Sequence, residues 1–434
     1  MPGVDEAIFR SDWGIRWCVG IVVALVVSGC AWGSGPAERD GVSDEHPMPA
    51  VVEDGDVDEG PGGPAGEGTE SPPWMPGPLA PTGEEDWDEA VTFYPTYGYR
   101  LDDDWVIPLR LRVHDERGWL EFVVSRITRS VASLTRDEAD RFRVRIAEFL
   151  ADNESREHVT FAFEGDPLGE DFQILGTEGE PIRSDLNGII SGYVRVPVER
   201  AEGIVRAQAS DDGWLTIRAT SDDHHGRGRV RLIEREGLSV ISDIDDTMQV
   251  VGIPEGAMSM VWNIFFEPWE AAPGMAELYR KWEEEADGTV AFHYVSAGPW
   301  QLYRYRAGFL FDEAVGFSEG TFHMREIRKN FFSPTTWRDL HFLLADDDST
   351  YERKVEMITR ILEHFPGREF ILVGDTGEHD PEVYRTIAEG FPHQVREVVI
   401  RDVVDARTLA PERVEGMTVI PAETMGVVGL HSGG

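Results

Sequence analysis

Cysteine is almost absent from this chain: of 434 residues only Cys18 and Cys30 are cysteines, and both fall in the first thirty. A disulfide framework and a cysteine-based zinc centre are therefore excluded from the body of the protein. Basic side chains are scarce as well. Forty Lys and Arg face 81 Asp and Glu, a formal net charge of -41. That balance argues against nucleic acid as a partner, because phosphate backbones are held by clusters of Lys and Arg. It also gives no undirected attraction to anionic membrane surfaces. Long apolar runs are missing too. The run from Trp17 to Val27 is shorter than the roughly 20 residues a membrane-spanning helix needs.

The chain is nevertheless long enough for two or three domains, and its composition shifts along it. Trp17 to Val27 has the length of a signal-peptide core and ends in Val27-Ser28-Gly29-Cys30. This ending resembles a bacterial lipobox. The resemblance implies export, lipidation of the Cys30 thiol, and a membrane-anchored lipoprotein of the bacterial cell envelope. Upstream, Arg10 and Arg16 are offset by Asp5, Glu6 and Asp12, unlike the usual positive start of a signal. Residues 1–30 are read as the signal and 31–89 as an acidic linker. The linker is rich in Gly, Pro, Glu and Asp, and Arg39 is its only Lys or Arg. Such a segment cannot bury enough apolar surface to offset its ordering entropy.

Order is expected from about Val91. V-T-F-Y-P-T-Y-G-Y-R is β-prone, and Trp105 to His114 alternates over its second half with the period of a half-buried strand. Leu134 to Leu150 reads as a helix, with Phe142, Ile146, Phe149 and Leu150 on its apolar stripe. The short patterns V-T-F-A-F, D-F-Q-I-L, G-Y-V-R-V and W-L-T-I-R-A follow. Their spacing predicts an antiparallel β-sandwich with a helical insertion over 90–236. His224 and His225 lie in a Gly- and Asp-rich loop. Paired histidines could bind a metal, but with no third ligand indicated they read as a solvated turn.

From Leu238 the pattern becomes α/β, over a second domain at 237–434. L-S-V-I-S-D-I-D-D-T is an apolar strand running into three carboxylates. Aspartates clustered at a strand end are costly unless a cation or a reaction uses them. An N-cap would account for one aspartate but not for the D-x-D-x-T spacing. In an extended segment Asp243 and Asp245 point to the same side. A second strand ends at Ser296 before a Gly-Pro turn, where a hydroxyl and backbone N–H groups suit phosphate oxygens. Lys354 falls early in a helix whose stripe is Val355, Ile358, Ile361 and Leu362, where the helix dipole does not favour a cation. A fourth segment, E-F-I-L-V-G-D-T-G-E-H-D-P, ends a strand at Asp375, with Glu378 and Asp380 just beyond. Asp375 is a natural magnesium ligand.

In order, these four segments resemble the motifs of haloacid-dehalogenase-like phosphatases. The longer strings S-D-I-D-D-T, S-A-G-P-W-Q-L-Y and F-P-G-R-E-F-I-L-V-G-D-T-G-E-H-D-P-E-V-Y look like the actin-patch-type phosphatidate phosphatase catalytic domain, a relative of the lipins. The resemblance implies a Rossmannoid domain with a parallel sheet, preceded by the β-rich sandwich-like domain. It implies hydrolysis of phosphatidate to diacylglycerol and phosphate, with Mg2+ as cofactor and a membrane phospholipid as partner. Asp243 would be the nucleophile and Asp245 the general acid and base. Asp243, Asp375 and the Asp245 backbone carbonyl would hold the metal. Ser296 and Lys354 would bind the phosphoryl group, Thr247 is grouped with them, and Asp380 would support Lys354 or a metal-bound water. Asp246 and Thr247 would also shape the loop and cap the next helix. Gly298 departs from the pattern, which has a second serine before Pro-Trp. Trp262, Phe265, Phe266, Trp269, Trp300 and Tyr303 flank the motifs, most of them as core and the remainder open to acyl chains. The alternatives are a phosphatase for another exported phosphomonoester and a non-catalytic lipid-binding envelope lipoprotein.

The lipobox reading is checked by metabolic labelling with a radioactive fatty acid in a bacterial host. The label should appear on the full chain and vanish in Cys30→Ser; equal labelling of the two proteins would remove the anchor.

Overall fold

The computed structural model describes residues 89–115, 134–286, 288–325 and 347–422. The readings of the signal, of Cys30 and of the linker up to residue 88 lie outside the described residues. Among the described residues no helix is long and apolar enough to cross a membrane.

The first part is a ten-stranded mixed sheet. Its strands are β1 (Glu89–Phe93), β2 (Thr96–Leu101), β3 (Asp104–Asp115), β4 (Asp152–Asn153), β5 (Thr160–Phe163), β6 (Phe172–Gln173), β7 (Ile189–Pro197), β8 (Trp214–Ala219), β9 (His224–His225) and β10 (Arg227–Leu232). They follow the order β6-β5-β8-β10-β2-β3-β1-β9, with β4 and β7 also paired to β3. Most joins are antiparallel, as the short regular spacing predicts. The joins of β1 to β9 and of β2 to β10 are parallel. These partners come from the far end of the segment, so no hairpin sets their direction. The predicted helix is α1 (Arg136–Leu150), which begins two residues later than the periodicity suggests because Thr135 caps it. Thr135 and Glu138 form a reciprocal capping box. A second helix, α2 (Val198–Ala207), buries Ala201 and Ile204 against this sheet's core.

The second part is a six-stranded, wholly parallel sheet in the order β15-β14-β11-β16-β17-β18. Here β11 is Glu236–Asp243, β14 is Ala291–Pro299, β15 is Thr321–Arg325, β16 is Gly367–Asp375, β17 is Val395–Asp402 and β18 is Thr418–Pro421. A small ribbon, β12 (Gln249–Val250) with β13 (Glu270–Ala271), stands apart. The central strands are buried on both faces, which is why they read as unbroken apolar runs. Alternation divides their side chains between two cores. Val240, Ile371, Val373 and Val399 pack with α4 (Met275–Glu285) and α5 (Tyr303–Leu310), below the ribbon and α3 (Ala257–Phe265) in the chain. Ile241, Phe370, Leu372 and Ile400 pack with α6 (Asp347–His364) and α7 (Asp380–Gly390), and α8 (Ala406–Leu409) adds Ala406. Ile358, Ile361 and Leu362 are the buried stripe of α6; each such side chain contributes roughly 1.5–3 kcal/mol on burial.

The chain leaves β11 for β14 and β15 on one side, then returns for β16, β17 and β18 on the other. The switch therefore lies at β11, and ligands bind open parallel sheets at the carboxyl ends of strands beside such a switch. One buried arginine fixes the start of β11. Arg368 donates to the carbonyls of Glu234 (3.0 Å), Glu236 (2.7 Å) and Leu238, and to Ser239 Oγ (2.8 Å). Arg368→Met should lower the unfolding free energy by roughly 3 kcal/mol through orphaned carbonyls, as read by urea denaturation; a loss within error of zero would show that this clamp is dispensable.

Candidate active site

Three adjacent strand ends build the site. Asp243 ends β11 and pairs with Val295, so Ser296 on β14 lies one step beyond it. Asp375 ends β16 on the other side of β11. Asp243, Asp375 and Asp380 are completely buried, and each offers a carboxylate oxygen within 4.8 Å of the others. Lys354 reaches them from the second turn of α6 and is itself buried. Its Nζ is 2.8 Å from Asp243 Oδ1 and 3.5 Å from Glu378 Oε2, and it hydrogen-bonds Asp380 Oδ1 closely. Gly374 is required here: a Cβ would sit 2.7 Å from the Tyr384 ring and press into Asp380.

Asp245 is held by a separate pair of donors. Arg306 on α5 approaches it with both terminal nitrogens, Nη1 to Oδ2 at 3.0 Å and Nη2 to Oδ1 at 2.5 Å. Ser296 Oγ donates to Asp245 Oδ2 at 2.7 Å and accepts the Gly298 N–H at 2.8 Å. The departure at Gly298 now has a physical partner, since a Cβ there would lie 2.9 Å from both Arg306 Nη1 and Ser296 Oγ.

The loop after β11 is fixed by Asp246, which adopts a positive φ of 55°. Its carboxylate accepts the N–H groups of Val251 (2.8 Å), Gly252 (2.9 Å) and Ile253 (2.6 Å). The expectation that this loop caps the next helix holds for the short 3-10 helix Ile253–Glu255, whose first N–H Asp246 accepts, but not for α3, where Gly256 stands at the N-cap without a side-chain bond. Thr247 is buried and turns its Oγ1 to Asp375 Oδ2 at 3.4 Å.

The structure thus gathers Asp243, Asp245, Ser296, Lys354, Asp375, Asp380 and Thr247 at one edge. Sequence reasoning did not select Arg306, which is one of two arginines in Y-R-Y-R with nothing local to mark it. Glu378 was noted only as a nearby acid. Of the flanking aromatics, Phe266, Trp300 and Tyr303 are core; Trp262, Phe265 and Trp269 are half-buried.

Five carboxylates (Asp243, Asp245, Asp375, Glu378, Asp380) face two cations, Lys354 and Arg306. Burial pushes the Asp243 carboxyl well above the usual range, with Lys354 opposing and Asp380, Asp245 and Asp375 adding to the rise. Burial does the same to Asp375, reinforced by Asp380 and Glu378. For Lys354 burial acts downward, but Asp243, Asp380 and Glu378 outweigh it and raise the ammonium well above its ordinary value. Asp243 Oδ2 has no hydrogen-bond partner despite its burial, and Oδ1 has the Lys354 ammonium at 2.8 Å. A buried acceptor of that kind fits a divalent cation, and an all-carboxylate donor set is the chemistry such an ion takes.

Residues 238–402 match the family model described as phosphatidate phosphatase APP1, catalytic domain. The phosphatidate phosphatase APP1 of Saccharomyces cerevisiae is 34% identical over 167 residues, 38% of this chain and 26% of that protein. An uncharacterized protein of Schizosaccharomyces pombe is 26% identical over 197 residues, 44% of this chain and 30% of that protein. The chain thus spans under a third of the length of these curated relatives. Among solved structures, β-glucuronidase of Ruminococcus gnavus aligns over 74% of this chain and 45% of its own at 11% identity, with a TM-score of 0.20, too low to bear on the fold. The family model and the yeast relative support the actin-patch-type phosphatidate phosphatase family for residues 238–402.

The raised carboxyls set a pH dependence. Without metal, protonated Asp243 and Asp375 favour the folded state below the ordinary carboxyl range, and that contribution is lost as pH rises through their raised values. A divalent cation competes with those protons, so its calorimetric affinity should climb at least about tenfold from about pH 5.5 to about pH 8. An affinity flat across that interval would exclude these carboxylates as ligands.

Proposed function

We propose that the chain is a magnesium-dependent phosphatidate phosphatase of the haloacid-dehalogenase-like type, hydrolysing phosphatidate to diacylglycerol and phosphate through an aspartyl-phosphate on Asp243. The observation that carries this reading is the meeting of Asp243, Ser296, Lys354 and Asp375 at one edge of the parallel sheet, inside the segment that matches the catalytic-domain family. In this reading 237–434 is the catalytic domain and 90–236 a sandwich-like companion. A tether at 31–89 joins them to a lipid anchor at Cys30 in the bacterial envelope, where the substrate lies in a membrane.

Asp243 attacks phosphorus in line and forms the acyl phosphate. Lys354, already 2.8 Å from the nucleophile, pairs with the transferring phosphoryl oxygens. Asp245 protonates the departing alkoxide and then takes a proton from the water that hydrolyses the intermediate. Arg306 and Ser296 position Asp245, and an incoming phosphate offers both a competing acceptor that frees it for the proton. Thr247 contributes through Asp375, to which its hydroxyl points. Asp243 and Asp375, with the Asp245 backbone carbonyl, would hold magnesium, which when bound neutralises charge that would otherwise repel phosphate from an acidic pocket.

A second reading, a phosphatase for another exported phosphomonoester, is favoured by the net charge of -41, since an acidic surface does not seek an anionic lipid. One panel separates the two. With magnesium, phosphate release is compared for phosphatidate in mixed micelles, lysophosphatidate, diacylglycerol pyrophosphate and soluble phosphomonoesters. Phosphatidate should be the best substrate, and Asp243→Asn should lose about a thousandfold or more in kcat. A soluble ester outrunning phosphatidate would replace the lipid assignment, and an active Asp243→Asn would sink the nucleophile.

A further inference from the structure

The structure overturns the expectation of a solvated histidine turn. His224 opens β9 and is only 4% exposed. It is drawn inward because β9 pairs with β1, in the register Glu89 to His224 and Ala90 to His225. His224 Nδ1 is 2.9 Å from Ser221 Oγ. Its Nε2 has no hydrogen-bond partner, although Glu89 Oε2 lies 2.9 Å away and Glu157 Oε2 4.0 Å away. A buried imidazole nitrogen that faces two carboxylates without the direction of a hydrogen bond is an arrangement that a cation between them resolves.

We propose that Glu89, Glu157 and His224 form a second metal site, for a first-row transition-metal dication of the zinc class. Their three ligand atoms lie within 4.8 Å of one another. Zinc bonds of about 2.0–2.2 Å to nitrogen and oxygen would need only small side-chain movements to close on that spacing. Mixed imidazole and carboxylate donors suit zinc, manganese, iron or cobalt better than magnesium, which takes oxygen alone. Burial holds the imidazole below its ordinary value, more than Glu157 and Asp223 raise it, a direction that favours the neutral, ligating form.

The surroundings are built for holding. Ser221 Oγ on Nδ1 fixes the ring's orientation, the support a ligating histidine requires. Glu157 is pinned at both backbone groups: its N–H donates to Ser184 Oγ at 2.8 Å and its carbonyl accepts from Ser184 N at 2.9 Å. The Glu157 side chain is 34% exposed, against 4% for His224, so the site opens to water on that side. A metal there would join β1, β9 and the 157 segment, where β1 and β9 share a ladder of only two residue pairs. The site shares no residue with the carboxylate cluster at the strand ends.

The test uses the full chain, stripped with a chelator and reloaded with zinc in excess magnesium, with bound zinc counted by mass spectrometry. The wild type should retain one zinc more than His224→Ala, and Glu157→Gln should bind it about tenfold more weakly or worse. Because His224 is buried, its variant is checked by circular dichroism; Glu157→Gln, at a partly exposed position, keeps the test open if that protein misfolds. Cobalt in place of zinc should give visible d–d bands that the variants lose. Equal zinc uptake by all three proteins, with unchanged cobalt bands, would reduce the cluster to a buried histidine–carboxylate pair.

Discussion

The Lys354 ammonium is buried with carboxylates of Asp243, Asp380 and Glu378 all within 3.5 Å. At such distances each pair is worth a few kcal/mol at an effective dielectric near 20, roughly 4 at 4 Å. Removing one partner of a buried pair costs about 3–5 kcal/mol, because the other charge is stranded. The strand order, the buried stripe of α6 and the absence of a side chain at Gly374 all serve this one meeting. The cluster still carries more negative than positive charge. Burial together with that excess raises the Asp243 and Asp375 carboxyls and leaves the site matched to a divalent cation and an incoming phosphate.

Asp245 is organised by a different cation on a different helix. Arg306 comes from α5, on the opposite face of the sheet from α6. Asp243 and Asp245, the first two of the three acids in D-I-D-D-T, are thus separated in environment, one against Lys354 and one against Arg306. That separation is the physical basis for giving them separate tasks.

The β-rich part packs directly on the elements that frame the site. Tyr97 hydroxyl contacts His364 Nδ1 at 2.9 Å, and Tyr99 stacks on the same imidazole at 3.9 Å. His364 ends the helix that carries Lys354. From α1, Arg145 donates to the carbonyls of Ile264 and Glu267 at 2.8 and 2.7 Å, closing the end of α3. Tyr94 packs on Trp300 at 4.2 Å, beside the turn after Ser296. The first sheet therefore braces both helical faces of the second.

Local order determined much of this protein. Apolar runs ending in Asp243, Ser296 and Asp375 could be read as parallel strands with chemistry at their tips, since strands buried on both faces carry no polar alternation. The α6 stripe was legible for a like reason: its signal repeats within a few turns of one helix. Partners distant along the chain were not legible. Arg306 meets Asp245 across 61 residues, and Glu89 meets His224 only because β9 joins β1 in parallel. Neither contact leaves a local pattern, because burial and charge pairing depend on which surfaces the topology brings face to face. The sequence by itself determined which strands end in acid; only the tertiary structure decided which cation each acid meets and which histidine is taken out of water.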